Sequence, residues 1–207
     1  MVAAGCCSEP EVKDFTTSGC SPRYTSFNSY RRAQELEPLS PIIGSDLGVT
    51  LLYARRYEEA IAQFQRVLTL DPAFYVARYH LGETYHAQGQ HDAAITEYRE
   101  ALQAEDDPWV RALLARALAR SDRRAEAEAV RDQLESERAR RYVPNVALAV
   151  VHAALGDGDT AFGWLEKDFA ERSLNPPFYT VDPVFDDVRH DRRFGDLVRR
   201  IELARLD

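Results

Sequence analysis

From about residue 42 onward, apolar positions recur at the spacing of helices. Leu47, Leu51 and Ala54 fall at i, i+4 and i+7, and Ala60, Ile61, Phe64, Val67 and Leu68 form a second stripe. Such spacing gives each helix one face to bury. Arg55-Arg56-Tyr57 separates the two stripes and Asp71-Pro72 ends the second. A residue before proline is pushed out of the α region, whereas proline itself fits a helix's first turn. Residues 41–74 are therefore predicted to form a helical hairpin.

The same unit returns along the chain. Leu47-Gly48 is echoed by Leu81-Gly82, Leu114-Ala115 and Leu148-Ala149, and Ala60 by Ala94, Ala127 and Ala161, at a period of 33 or 34 residues. A fixed period in this range denotes stacked supersecondary units, none of which can bury its apolar face alone. The small residues have a mechanical purpose, since a bulky side chain at those positions would hold neighbouring helices apart. Hairpins are predicted over 41–74, 75–107, 108–141 and 142–174. Gly89 stands in a turn where a left-handed cap is wanted. The third unit is degenerate, with Arg131 in the place of Phe64 and Tyr98.

Both ends depart from the period. Tyr30, Ala33, Leu36 and Pro38 align with Phe64, Val67, Leu70 and Pro72, so residues 28–40 read as a half repeat, a second helix only. Lys13-Asp14 stands where a first helix would have its Leu-Gly pair, and residues 1–27 are expected to be a disordered or non-native leader. Beyond Asn175, Asp182-Pro183 offers an N-cap with a first-turn proline. Phe194, Leu197, Val198 and Ile201 make a further stripe, and residues 175–207 are predicted to be a pair of short helices that cap the last hairpin. Asp186-Asp187 reads as a solvated helix cap.

The set Leu47, Gly48, Ala60, Phe64, Leu70, Pro72, followed by Leu81, Gly82, Tyr85, Ala94, Tyr98 and Ala101, resembles tetratricopeptide repeats. The resemblance implies an all-α, right-handed superhelical solenoid of about three and a half to four hairpins, and a protein–protein interaction scaffold rather than an enzyme. It also implies a concave groove lined by first helices. By position, that groove takes Ser45, Asp46, Val49, Leu52 and Tyr53 from the first unit, and Tyr79, His80, Glu83 and His86 from the second. The third gives Trp109, Ala112, Leu113, Arg116 and Arg120, and the fourth Val146, Val150 and Ala153. A peptide with an apolar anchor and an acidic group suits the part near the third unit. The Lys and Asn clamp of chaperone-binding members is replaced here by Ser45, Val49, His80, Trp109 and Leu113, which argues against C-terminal carboxylate capture of that kind. The closing string VDPVFDDVRHDRRFGDLVRRIEL resembles the end of bacterial regulators whose repeats follow a DNA-binding, kinase or cyclase domain.

Composition narrows the picture further. A net charge of −8 argues against a nucleic-acid surface, which needs a concentrated basic patch. No apolar run approaches the roughly 18 residues of a membrane span, and the N-terminus lacks the basic start and apolar stretch of a signal peptide, so the cytoplasm is the expected address. Of 26 basic residues only Lys13 and Lys167 are lysine, a bias that points to a GC-rich genome. Cys6, Cys7 and Cys20 lack metal-ligand spacing and read as free thiols.

His80, Glu83 and His86 form an H-x-x-E-x-x-H string, but i to i+6 on a helix turns about 600°, which sets the two imidazoles about 120° apart. They read as polar groove lining, with no metal and no cofactor expected. The partner is expected to be a protein or peptide. An alternative is self-association through the uncovered half repeat at Tyr30, Ala33 and Leu36.

Overall fold

The computed structural model describes residues 27–171 and 177–203. The expected leader, residues 1–27, lies outside them but for Phe27, and so do Ser173, Asn175 and Pro176. Every regular element among the described residues is helical. Helix α1 (Phe27–Leu36) precedes four hairpins: α2 (Pro41–Tyr53) with α3 (Tyr57–Leu70), α4 (Tyr75–Ala87) with α5 (His91–Ala104), α6 (Pro108–Arg120) with α7 (Arg124–Glu137), and α8 (Asn145–Ala154) with α9 (Gly158–Ala170). The closing segment comprises α10 (Pro177–Val181), a 3-10 helix (Pro183–Asp187) and α11 (Arg192–Leu203). The chain is an all-α solenoid. No helix among the described residues is long and apolar enough to cross a membrane.

The small residues sit where helices meet. A Cβ on Gly82 would lie 2.7 Å from the ring of Tyr98, and one on Gly48 would collide with Phe64. Both rings are fully buried. Gly48 and Gly82 thus each make room for an aromatic of their own hairpin. In the third and fourth units the pair becomes Ala115 with Arg131 and Ala149 with Leu165: once the aromatic is gone, a methyl group fits.

All four intra-hairpin turns place one residue in the left-handed region: Arg55 (φ 60°), Gly89 (φ 78°), Asp122 (φ 56°) and Gly156 (φ 83°). Glycine adopts this conformation without penalty, whereas a side chain costs roughly 1–2 kcal/mol.

The junctions are not equivalent. In the first two, the second helix of one hairpin packs on the next first helix, α3 on α4 and α5 on α6. At the third, α6 packs directly on α8 and α7 is set aside. Only Ala127 and Leu134 of α7 are buried, and Arg131 turns to Asp132 on the surface. Helix α7 meets the fourth hairpin through polar contacts, Glu135 to His152 at 2.9 Å and Arg124 to the Leu155 carbonyl at 3.0 Å. Helix α8 is apolar nearly all round, the pattern of a helix buried on several sides, and α6 buries eight of its residues, Arg116 among them.

Candidate functional site in the concave face

The closing segment starts with a local device. The Asp182 carboxylate accepts the backbone N–H of Val184 at 2.8 Å, and Pro183 occupies the first turn. Arg189 then donates to the carbonyls of Thr180 at 2.7 Å and Asp182 at 2.8 Å, tying the segment into a compact bend. On one side Tyr179 stacks on Phe185 with ring centroids 4.7 Å apart, and Phe185 meets Phe194 at 5.6 Å. These rings cover the fourth hairpin together with Leu197 and Ile201.

On the other side the segment enters the concave face. Its 3-10 helix packs on α4 and α8. The Tyr53 hydroxyl at the end of α2 donates to Asp182 at 3.2 Å. Arg55, the left-handed residue of the first turn, makes a two-point contact with Asp186 at 2.6 and 2.9 Å. Arg116 of α6 donates to Asp187 at 2.6 Å and to the Pro183 carbonyl at 3.1 Å. Arg120, one turn further along α6, also bonds Asp187. The sequence suggests a solvated cap at Asp186-Asp187; the structure instead buries Asp187 between two guanidinium groups and pairs Asp186 with Arg55. The cause is topological, because the bend at Asp182-Pro183 turns these carboxylates back toward cations more than 60 residues earlier.

Second-repeat residues form the floor. His80 Nδ1 lies 2.6 Å from a Glu83 carboxylate oxygen, and the His80 ring meets Tyr79 at 4.1 Å between centroids. The His86 ring meets that of His91 in a tilted arrangement, with centroids 4.7 Å apart. Among the described residues no group of three potential ligands could hold a metal ion.

Electrostatics follow from burial and these pairings. Burial opposes ionisation of Asp187, but Arg116 and Arg120 outweigh it and its pKa falls below the ordinary value. The same balance lowers Asp186, through the bonds from Arg55 and Arg189. Asp182 goes the other way: full burial, reinforced by the Glu83 charge, raises it to about 7. Burial, with Arg116 next in size, pushes His86 down to about 2, so this imidazole is neutral. Burial also raises the Tyr79 phenol.

The remaining sequence-chosen positions separate into groups. Leu52 is 1% exposed and belongs to the first-repeat core, with Val49 packed beside it. Trp109 and Tyr79 pack against the main core from its edge. Val146 and Val150 are buried on α8, which the 3-10 helix covers. At the N-terminal end Tyr30 packs on the first-repeat core, whereas Leu36 is 68% exposed, beside Leu39 at 73% and Ile42 at 64%. Sequence reasoning missed Arg55, Asp182, Asp186 and Asp187 as groove residues. The available signal was a six-residue stretch with three carboxylates, against a first helix carrying Arg116 and Arg120.

With the hairpins and their inner face described, comparison with known proteins gives the family. A tetratricopeptide repeat family model matches residues 45–108, and a second matches residues 108–133 and 146–167, together more than half of the chain. The chain belongs to the tetratricopeptide repeat family. Among solved structures, the crystal structure of MamA is similar over 72% of this chain and 90% of that one, at 18% identity and a TM-score of 0.50. The APC/C hetero-tetramer Cut9-Hcn1 contains a chain similar over 86% of this one and 36% of its own length, at 17% identity and a TM-score of 0.59. At these identities the likeness concerns the repeat fold alone. No curated protein matches the chain.

Proposed function

We propose that this tetratricopeptide repeat chain is a protein–protein interaction scaffold that takes a peptide or partner segment in its concave groove. One observation carries the reading: the groove already holds a peptide segment, residues 182–187, through side chains of the first and third repeats. Aromatic and arginine residues at such a centre dominate interface energetics. Binding rather than catalysis fits the chemistry, since the groove's charged side chains are engaged with one another and with the segment. The net charge of −8 favours a protein partner over nucleic acid. We place the scaffold in a bacterial, cytoplasmic regulatory protein. The arginine-rich composition and the closing segment's resemblance to such regulators support that context.

The test is selection of peptides from a random display library on the immobilised chain, in its natural form and with Asp186→Ala plus Asp187→Ala to loosen the segment. Selected peptides are expected to lose binding on Arg116→Glu with Arg120→Glu, with helicity retained. Binding that survives the double change removes the groove from the reading.

A second reading is self-association at the N-terminal end, favoured by the exposed side chains of Leu36, Leu39 and Ile42. Light scattering across a concentration series tests it. Mass that rises with concentration, and ceases to rise on Leu36→Asp, supports it; a constant monomer mass ends it.

A further inference from the structure

The segment in the groove is chemically divided. Its aromatic side, Tyr179, Phe185 and Phe194, closes the fourth hairpin and has no need of the first or third repeat. Its acidic side does the reverse. Asp182, Asp186 and Asp187 extend across the concave face to Tyr53, Arg55, Arg116 and Arg120, none of which belongs to the hairpin being closed.

Arg116 is the most informative of these. Its side chain is 7% exposed, and its hydrogen bonds among the described residues run only to Asp187 and the Pro183 carbonyl. A buried guanidinium with no partner in the helical stack is a receptor for a carboxylate supplied from elsewhere. Arg55 meets Asp186 through two parallel bonds, the geometry by which arginine selects carboxylates. The first repeat reads the first two acids and the third repeat reads the last, so the spacing of the carboxylates matters as well as their charge.

We propose, building on the reading of the groove as the partner face, that the concave face recognises the acidic pattern Asp-x-x-x-Asp-Asp, and that residues 182–187 are an internal copy of the ligand which a partner bearing this pattern displaces. The partner segment is acidic, carries a carbonyl after its first acid for Arg116, and begins its bend with proline or a residue that tolerates that position. A basic or wholly apolar peptide does not fit. Partner binding frees the acidic side of the closing segment, so the groove is self-occupied until a competing acidic segment arrives.

The probe is a fluorescein-labelled peptide with the sequence of residues 181–189, Val-Asp-Pro-Val-Phe-Asp-Asp-Val-Arg. Its anisotropy is read on the full chain and on the full chain with Asp186→Arg and Asp187→Arg, which repels the internal copy from three arginines. The altered chain is expected to bind the peptide about tenfold tighter or more, because self-occupancy lowers apparent affinity in proportion to the fraction of molecules whose groove is open. Scrambling the peptide's acids, or adding Arg116→Glu and Arg120→Glu, is expected to abolish binding. An altered chain that keeps its helicity and binds no better than the natural one overturns the proposal. Should the altered chain unfold, hydrogen exchange on the natural chain decides: excess peptide is expected to speed exchange at residues 182–188, and unchanged exchange at millimolar peptide overturns it. If the acidic peptide fails while display still enriches peptides that depend on Arg116 and Arg120, the groove reading survives and the acidic pattern falls. If display also fails, both fall.

Discussion

The Arg116 guanidinium reaches Asp187, 71 residues further along the chain, at 2.6 Å inside the concave face. Both side chains are more than nine-tenths buried. Breaking a buried pair by removing one partner leaves an uncompensated charge and costs about 3–5 kcal/mol, whereas replacing both with apolar groups is far milder. Asp187→Leu, which leaves the buried Arg116 without its carboxylate, is expected to lower the thermal midpoint strongly, and Arg116→Met with Asp187→Leu to recover most of it. Equal effects of the single and double changes in calorimetry contradict this account of the pair.

Asp182 sets a pH dependence of segment docking. Its folded pKa, about 7, lies above the ordinary 3.8 because of burial and the Glu83 charge. A raised carboxyl contributes stability that is fully present below its ordinary value and lost as pH rises through about 7. Asp186 and Asp187 are lowered, so their contribution is present above the ordinary carboxylate range and lost as pH falls below it. Docking is therefore expected to be tightest near about pH 4, to loosen as pH rises toward about 7, and to change little above. Hydrogen exchange of residues 182–188, corrected for intrinsic rate, is expected to accelerate from about pH 5 to about pH 7 and to level off above. Asp182→Asn, which keeps an N-cap, flattens that change; a persistent change in the variant assigns it to another group.

Gly82 faces the Tyr98 ring, and an added Cβ would stand 2.7 Å from it. Overpacking of this kind costs about 1–3 kcal/mol. Gly82→Ala is expected to destabilise by that amount in urea unfolding. Adding Tyr98→Leu, which reproduces the Ala149 with Leu165 pairing of the fourth repeat, is expected to relieve the clash, so that the double change costs less than the sum. Strict additivity overturns the pairing argument.

Asp122 holds a left-handed conformation (φ 56°) that Gly89 and Gly156 adopt at the equivalent turns. Asp122→Gly is expected to stabilise the chain by about 0.5–1 kcal/mol, because strain relief exceeds the added chain entropy. Arg55→Gly relieves the same strain but also removes the two-point contact with Asp186, so a smaller gain or a net loss is expected. Chemical denaturation of the two variants side by side gives the difference.

Much of the solenoid could be read without coordinates, since local rules suffice for it. The 33- to 34-residue period, the small residues at helix contacts and the proline boundaries each act within one hairpin or between adjacent ones. The left-handed position at Gly89 was legible because glycine advertises it; the same conformation at Arg55 and Asp122 was visible only by position in the repeat. Arg131 marked the third unit as different, but its consequence, α6 packing directly on α8, depends on which apolar faces remain unfilled in three dimensions.

The groove divides along the same line. Periodicity alone placed Tyr53, His80, Glu83, Arg116 and Arg120 on first helices, because side-chain direction on a helix follows from residue number. What occupies the groove was decided only by the tertiary structure. Asp182, Asp186 and Asp187 are distant in sequence from Tyr53, Arg55 and Arg116, and no local pattern links them. They meet because the bend at Asp182-Pro183 directs three carboxylates toward the first helices, where Tyr53 meets Asp182, Arg55 meets Asp186, and the buried Arg116 with the half-exposed Arg120 meets Asp187.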